Sequence, residues 1–145
     1  MILQSWHESA FFVNSVSSLA GPLVAAYFLN PRVNQMSSRL DETAVIAGLR
    51  TLQGWQLASD DEQRPAIEKD YSFTSFNAAF AFMGRVALTA ERANHHPELL
   101  NRYRRVLVRW TSHSEGGVTA VDLELAATCD KLAIDSGLKA RDLLK

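Results

Sequence analysis

The sequence predicts an α+β fold in which an antiparallel four-stranded sheet carries helices packed on one face. Segments with a helical repeat of apolar residues and segments with an alternating pattern follow one another as helix, hairpin, long helix, two strands and helix. Because strands and helices do not alternate regularly, the order favours antiparallel pairing. The chain has 145 residues, of which 47% are hydrophobic and 21% charged, so it can bury a single core without disulfides.

A short helix and a β-hairpin open the predicted domain. Asp41 and Glu42 place acids at the start of an apolar repeat, and Gly54 lies just past its end. Strands are expected at residues 55–58 and 67–73, joined by a polar, turn-like segment. Their closeness along the chain predicts that the two strands pair directly.

The longest helix follows, and we expect its apolar stripe to face the core. Thr74 or Ser75 can cap it, and it must end before His96 because Pro97 disfavours helical geometry in the preceding residue. The stripe repeats at helical spacing through Phe76, Phe80, Met83, Ala87 and Ala90, and is widened by Phe82 and Val86. An aromatic ligand-binding surface is the alternative, but helical spacing explains every one of these residues and favours core packing.

Two further strands and a helix complete the domain. A short strand follows Pro97, and residues 103–111 alternate, with Val106, Val108 and Trp110 on the face expected to be buried. Arginines recur along this strand, but with a net charge of −1 a solvated face or salt bridges between subunits is favoured over nucleic-acid contact. The last helix is expected to start at Thr119 and end near Gly137.

The segments outside residues 40–137 are expected to carry no chemistry. Residues 1–39 are apolar-rich, but polar residues and a Gly-Pro pair interrupt them, so a membrane span is disfavoured. No Lys or Arg precedes Arg32, which argues against a secretory signal. A structural segment and a degenerate targeting leader both stay open. Residues 138–145 form a charged tail. We expect a cytoplasmic protein, or an organellar one if residues 1–39 are a leader.

Three of the four histidines fall within one short stretch and are the best candidates for chemistry. His95 and His96 lie at the exit of the long helix, and His113 lies where the last strand ends. If the sheet brings these junctions together, three imidazoles converge beside Glu91 and Glu115. Imidazole ionises near neutrality, so such a pocket is suited to general acid–base catalysis.

Metal binding and nucleophilic catalysis are weaker alternatives. Adjacent residues such as His95 and His96 point in different directions, and the spacings typical of zinc sites are absent. Cys129, the single cysteine, falls within a helix among Ala and Leu, which predicts a buried thiol. Ser112 and Ser114 flank His113 without the elbow motif of serine hydrolases.

The residues around the histidines form one longer pattern. The chain reads Glu91-Arg92-Ala93-Asn94-His95-His96-Pro97-Glu98, then Tyr103, then Thr111-Ser112-His113 and Thr119-Ala120-Val121-Asp122. This pattern resembles the pterin-4a-carbinolamine dehydratase family, which has an acid before His-His-Pro, an aromatic residue after it, a second-motif His and a following Asp. All of these are present at matching spacing over roughly residues 40–133. Two departures are Ser112, where the family usually has Thr, and Ser114, where Glu is common.

The resemblance implies a dehydratase, a hydro-lyase of tetrahydrobiopterin recycling. Such an enzyme eliminates water from 4a-hydroxytetrahydropterin to give the quinonoid dihydropterin. It needs no metal and no cofactor, because the pterin itself is the substrate. By resemblance His95, His96 and His113 are catalytic: His95 and His113 donate protons to the departing hydroxyl, and His96 mainly holds the pterin.

The resemblance also implies supporting residues and partners. The substrate would be edged by Asn94, His95, His96, Thr111, Ser112, His113 and Ser114. Glu91 would orient an imidazole; Asp122 either supports catalysis or only caps the last helix through Thr119-x-x-Asp122. A homo-oligomer, dimer or tetramer, is implied, with an aromatic amino acid hydroxylase pathway as its setting and neither nucleic acid nor membrane as a direct partner. The alternative is a non-catalytic binding module, the dimerisation cofactor of a homeodomain transcription factor.

Overall fold

An antiparallel sheet of four strands forms the centre of the structure, a computed structural model that describes residues 38–138. In chain order the elements are α1 (Glu42–Leu49), β1 (Gln56–Ser59), β2 (Pro65–Ser72), α2 (Phe76–Ala93), β3 (Glu98–Arg102), β4 (Arg105–Trp110) and α3 (Ala120–Asp135). The strand order across the sheet is β1-β2-β4-β3, and all neighbours are antiparallel. The predicted fold class is confirmed. The predictions for residues 1–37 and 139–145 lie outside the described residues.

The first helix and the hairpin form where they were predicted, with shifted ends. Asp41 is the N-cap of α1, and its carboxylate accepts a hydrogen bond from the backbone N–H of Ala44 at 2.7 Å. The helix ends at Leu49, before the end of the apolar repeat, and turns lead from there to Gly54. Gly54 has a φ of +80°, a conformation that suits glycine and directs the chain into β1.

Helix α2 buries one side of the predicted stripe and leaves the other side exposed. Its buried residues are Ala79, Phe82, Val86 and Ala90. Phe76 and Phe80, expected in the core, are 44% and 61% exposed. Two small alanines on the buried stripe allow the helix to approach its neighbours closely, and Phe82 packs tightly against the sheet. Its ring centroid lies 4.9 Å from that of Tyr71 and 5.0 Å from that of Phe73.

The last two strands form a tight hairpin with opposite faces of different character. Val106, Val108 and Trp110 are buried, as predicted. On the other face, Arg109 forms salt bridges with Glu68 and Glu98, each with an N···O distance of 2.9 Å. This arginine therefore pairs with the neighbouring strands of the same chain. Strand β4 begins at Arg105, later than predicted, because residues 103 and 104 form the turn.

Helix α3 is fastened at its end and along its side. Gly137, at a φ of +86°, ends the helix, and the N–H of Leu138 reaches back to the carbonyl of Ala133 at 3.1 Å. Along the helix, the carboxylate of Asp130 accepts hydrogen bonds from the Tyr71 hydroxyl at 2.6 Å and from the Lys69 ammonium at 2.7 Å. These contacts tie α3 to β2 through polar groups that lie apart from the histidines. Within residues 38–138, no helix is long and apolar enough to cross a membrane.

Candidate active site

The end of α2 places His95 at the edge of the core. Asn94 adopts a left-handed conformation with a φ of +48°, which Asn tolerates better than most residues, and so ends the helix. The N–H of His95 then bonds to the carbonyl of Ala90 at 3.0 Å. Pro97 follows and starts the chain toward β3. The side chain of His95 is 18% exposed, and that of His96 is 59% exposed.

A closed loop after β4 places His113 opposite the end of α2. Ser112 and Gly117 exchange two backbone hydrogen bonds, at 2.9 and 3.2 Å. The tight turn between them requires Gly116, which has a φ of +68°. The predicted Gly-Gly pair therefore shapes the loop that carries His113, whose side chain is exposed at the pocket.

These two junctions meet in a pocket of about 430 Å³, within the size range of small-molecule sites. All seven residues predicted to edge a substrate line it, and sequence reasoning missed Thr119 and Val121 as further lining residues. The three histidines predicted to converge are thus brought together. Glu115 also lines the pocket, as expected.

Asp122 is the buried anchor of the site. Its side chain is 0% exposed, and one carboxylate oxygen lies 2.7 Å from Nε2 of His95. The other oxygen accepts hydrogen bonds from the backbone N–H of Thr119 at 2.7 Å and from the hydroxyls of Thr119 and Ser112 at 3.0 and 2.8 Å. Asp122 therefore caps α3, one of the two roles that the sequence left open, and it also contacts the imidazole of His95. A carboxylate acceptor at Nε2 favours a proton on that nitrogen.

The other predicted side chains have distinct environments. Glu91 holds His96, with 3.0 Å between carboxylate oxygen and Nε2, and both side chains are exposed. Thr111 donates its hydroxyl to the carbonyl of Pro65 at 2.9 Å, and the hydroxyl of Ser112 donates to Asp122. Both hydroxyls are thus already engaged, so these residues support the pocket wall from behind.

Two carboxylates lie near His113, and sequence reasoning gave neither of them a role at the site. One oxygen each from Asp60 and Glu98 and a ring nitrogen of His113 lie within 4.8 Å of one another. Both acids already have cationic partners: Asp60 bonds to Arg64 at 2.6 Å, and Glu98 to Arg109 at 2.9 Å. Burial raises the pKa of Asp60, but hydrogen bonds from Arg64 and from the Glu62 backbone outweigh it and hold that pKa below its usual value. The guanidinium groups make this cluster a set of ion pairs rather than a vacant cation site.

Fold and pocket together define a small α+β domain with a pocket lined by three imidazoles. The family model for pterin 4 alpha carbinolamine dehydratase matches residues 38–132. The chain therefore belongs to the pterin-4-alpha-carbinolamine dehydratase family, as its motif residues predicted.

Individual relatives agree over the same region. A Bradyrhizobium sp. (strain BTAi1) protein, provisionally named pterin-4-alpha-carbinolamine dehydratase, is 47% identical over 98 residues, which are 68% of this chain and 96% of that protein. A Rhizobium etli protein with the same provisional name is 44% identical over 97 residues, 67% of this chain and 93% of that one. The crystal structure of a transcriptional coactivator/pterin dehydratase from Brucella melitensis superposes with a TM-score of 0.61 at 43% identity. It covers 66% of this chain and 99% of that one.

Proposed function

We propose that this chain is a 4a-hydroxytetrahydropterin dehydratase that works by histidine general acid–base catalysis. The observation that carries the proposal is the pocket itself, in which three imidazoles converge and one of them is anchored to the fully buried Asp122. The family to which the chain belongs supports the same substrate class. The physiological setting that we propose is tetrahydrobiopterin recycling beside an aromatic amino acid hydroxylase, in the cytoplasm.

The reaction divides into proton transfers that imidazoles can perform. The C4a–O bond of the substrate breaks, and the leaving hydroxyl takes a proton to depart as water. The N5–H proton is lost, and the C4a=N5 double bond of the quinonoid product forms. Protonated His95 is the donor from one ring face and protonated His113 from the other. The imidazole that has given up its proton then accepts the N5 proton, directly or through water, and is protonated again. Such assistance contributes about 10²–10⁴-fold in rate.

The geometry suggests which nitrogen of His95 acts. Nε2 is engaged by Asp122 at 2.7 Å, while Nδ1 has no hydrogen-bond partner among residues 38–138. Nδ1 is therefore the nitrogen that we assign to the substrate. Asp122 would stabilise the imidazolium from behind, as a buried carboxylate does for a catalytic histidine. His96, held by Glu91 at the exposed rim, would bind the pterin rather than transfer its proton.

Dehydratase turnover of the purified chain in a coupled phenylalanine hydroxylase assay tests the proposal. His95→Ala is expected to lower kcat by about two to four orders of magnitude without unfolding the protein. Arg92→Ala, at the exposed end of the same helix, is the matched control and should retain wild-type kcat. Turnover of His95→Ala within a few-fold of the wild type would contradict the acid–base assignment.

The alternative function is a binding module without catalysis. It draws support from the Brucella melitensis relative, which is described as both a transcriptional coactivator and a pterin dehydratase. The complete set of three histidines favours retained catalysis, since a pure binding module has no need of an anchored imidazole. A folded chain without dehydratase activity in the coupled assay would favour the module.

We also propose that the chain is a homo-oligomer, a dimer or a tetramer built as a dimer of dimers. Phe76 and Phe80 lie exposed on α2 with ring centroids 5.9 Å apart, and such paired exposed aromatic residues are typical of interfaces. Light scattering at micromolar concentration tests this. Phe80→Glu should shift the mass toward a smaller species, and a monomeric wild type would contradict the proposal.

A further inference from the structure

Trp110 lies directly beneath the candidate catalytic histidine. It is the last residue of β4, on the face that the helices cover, and is 1% exposed. Its indole and the imidazole of His95 lie nearly parallel, with ring centroids 5.5 Å apart and planes inclined by 15°. This is an offset stack, one of the favoured arrangements of two flat rings.

The ring stack and the hydrogen bond to Asp122 together restrict the orientation of the His95 imidazole. The bond fixes the position of Nε2 but leaves the imidazole free to rotate about the axis that joins it to the carboxylate oxygen. A flat surface against the ring removes that rotation. With Nε2 and the ring plane both fixed, Nδ1 can keep a single direction.

Trp110 carries a cost that a simpler core residue would avoid. Among residues 38–138, its indole N–H has no conventional hydrogen-bond acceptor. Leaving a buried donor without a good acceptor lowers stability. The nearby thiol of Cys129 is only a weak acceptor; burial raises the pKa of that thiol to about 12, and the indole partly opposes the rise. Phe or Leu would fill the position without this cost, so the indole calls for a compensating role.

We propose that Trp110 is a positioning residue, which holds the plane of the His95 imidazole so that Nδ1 keeps one direction for proton transfer. The inference rests on the proposed function, because it concerns the donor in that reaction. Trp110 is buried beneath the pocket and acts through His95, on whose ring its indole stacks. The effect is therefore expected in kcat rather than in substrate binding.

The variants Trp110→Leu and Trp110→Phe distinguish the effect of a flat ring against His95 from the effect of filling the core. Trp110→Leu should lower kcat about tenfold with KM within about twofold, because small misplacements of a reacting group are costly. Trp110→Phe restores a flat ring and should recover most of the loss. If Trp110→Leu does not fold, Trp110→Met takes its place, because the unbranched Met side chain adapts to irregular gaps in a core.

Trp55→Phe is the matched control. Trp55 is also a buried tryptophan, but its N–H contacts Asp130 at 3.3 Å and its ring meets Tyr71, apart from the histidines. This variant should lower Tm and leave kcat unchanged. A variant whose only defect is in core packing is therefore recognised by a lower Tm with an unchanged kcat.

The NMR signals of the carbon-bound ring protons of His95 give a readout that does not depend on turnover. In the wild type the indole ring current shields them, and in Trp110→Leu they should move to lower field, whereas Trp55→Phe should leave them in place. Unmoved signals, or moved signals with unchanged kcat, would overturn the positioning role. If the wild type shows no turnover at all, the proposed function fails, and the His95 signals alone then decide whether Trp110 positions the ring.

Discussion

Asp122→Asn is the substitution whose consequences the structure defines most sharply. One carboxylate oxygen accepts three hydrogen bonds, from the Thr119 N–H and from the hydroxyls of Thr119 and Ser112, and the other faces Nε2 of His95. The backbone N–H can only donate, so the amide oxygen of Asn must take the position facing Thr119. The amide NH₂ then faces His95.

This orientation reverses the hydrogen bond to the imidazole. Nε2 would have to accept from the amide, so the neutral ring carries its proton on Nδ1, and a proton can no longer be added at Nε2. His95 then cannot form the imidazolium from which Nδ1 donates. We expect kcat to fall by about 10²-fold, the upper part of the range for losing an orienting carboxylate.

The same substitution weakens the fold by a calculable amount. Hydrogen bonds to a charged group contribute about 1 kcal/mol more than neutral ones, so three donors lose about 3 kcal/mol in total. Denaturant unfolding measures this loss, and long-range ¹H–¹⁵N correlation of the imidazole identifies the tautomer.

Asp130→Asn is the matched control, on the same helix but apart from the histidines. It should lower the free energy of unfolding and leave kcat intact. An Asp122→Asn protein that keeps the proton on Nε2 and turns over within a few-fold of wild type would contradict the orienting role of Asp122.

Further predictions concern metals, pH, the thiol and the N-terminal segment. Dialysis against a strong chelator should leave turnover unchanged; a loss that zinc restores would contradict the acid–base account. The pKa of Asp60 is held below its usual 3.8, so its stabilisation is present above that pH and is lost as pH falls through the lowered value. Asp60→Asn should therefore lower Tm at neutral pH, with the difference from wild type vanishing in strong acid. Burial raises the pKa of Cys129 to about 12, so a thiol reagent at mildly alkaline pH should react only after unfolding. Deleting residues 1–38 should change solubility or oligomer size but preserve turnover per folded site; a folded deletion protein of unchanged oligomeric state that loses turnover would place that segment at the active site.

The fold could be predicted because its elements differ in the period of their apolar residues. The alternation in β4, the acids at the start of α1 and the cap at Ser75 are local signals, and the structure confirms them. The buried face of α2 was predicted only in part, because that helix is apolar on more than one face. Periodicity alone cannot choose between the stripe of Phe76 and Phe80 and the stripe of Ala79 and Phe82. The choice depends on which side chains fit against the sheet.

The part of the site that the sequence predicts is the group of histidines, because these residues cluster along the chain. His95 and His113 each lie at the end of a recognisable element, and antiparallel pairing of the sheet brings those ends together. The contact of Asp60 with this region depends on the register between β2 and β4, which local patterns do not contain. The stack of Trp110 on His95 likewise depends on how α2 packs over β4.

The most direct test of the central claim is the rate of 4a-hydroxytetrahydropterin dehydration with purified wild-type protein and with the double variant His95→Ala/His113→Ala at equal folded concentration. The account predicts rapid dehydration by the wild type and a rate for the double variant close to the uncatalysed one. If the double variant dehydrates the pterin as fast as the wild type, or if folded wild-type protein adds nothing to the uncatalysed rate, the account is contradicted.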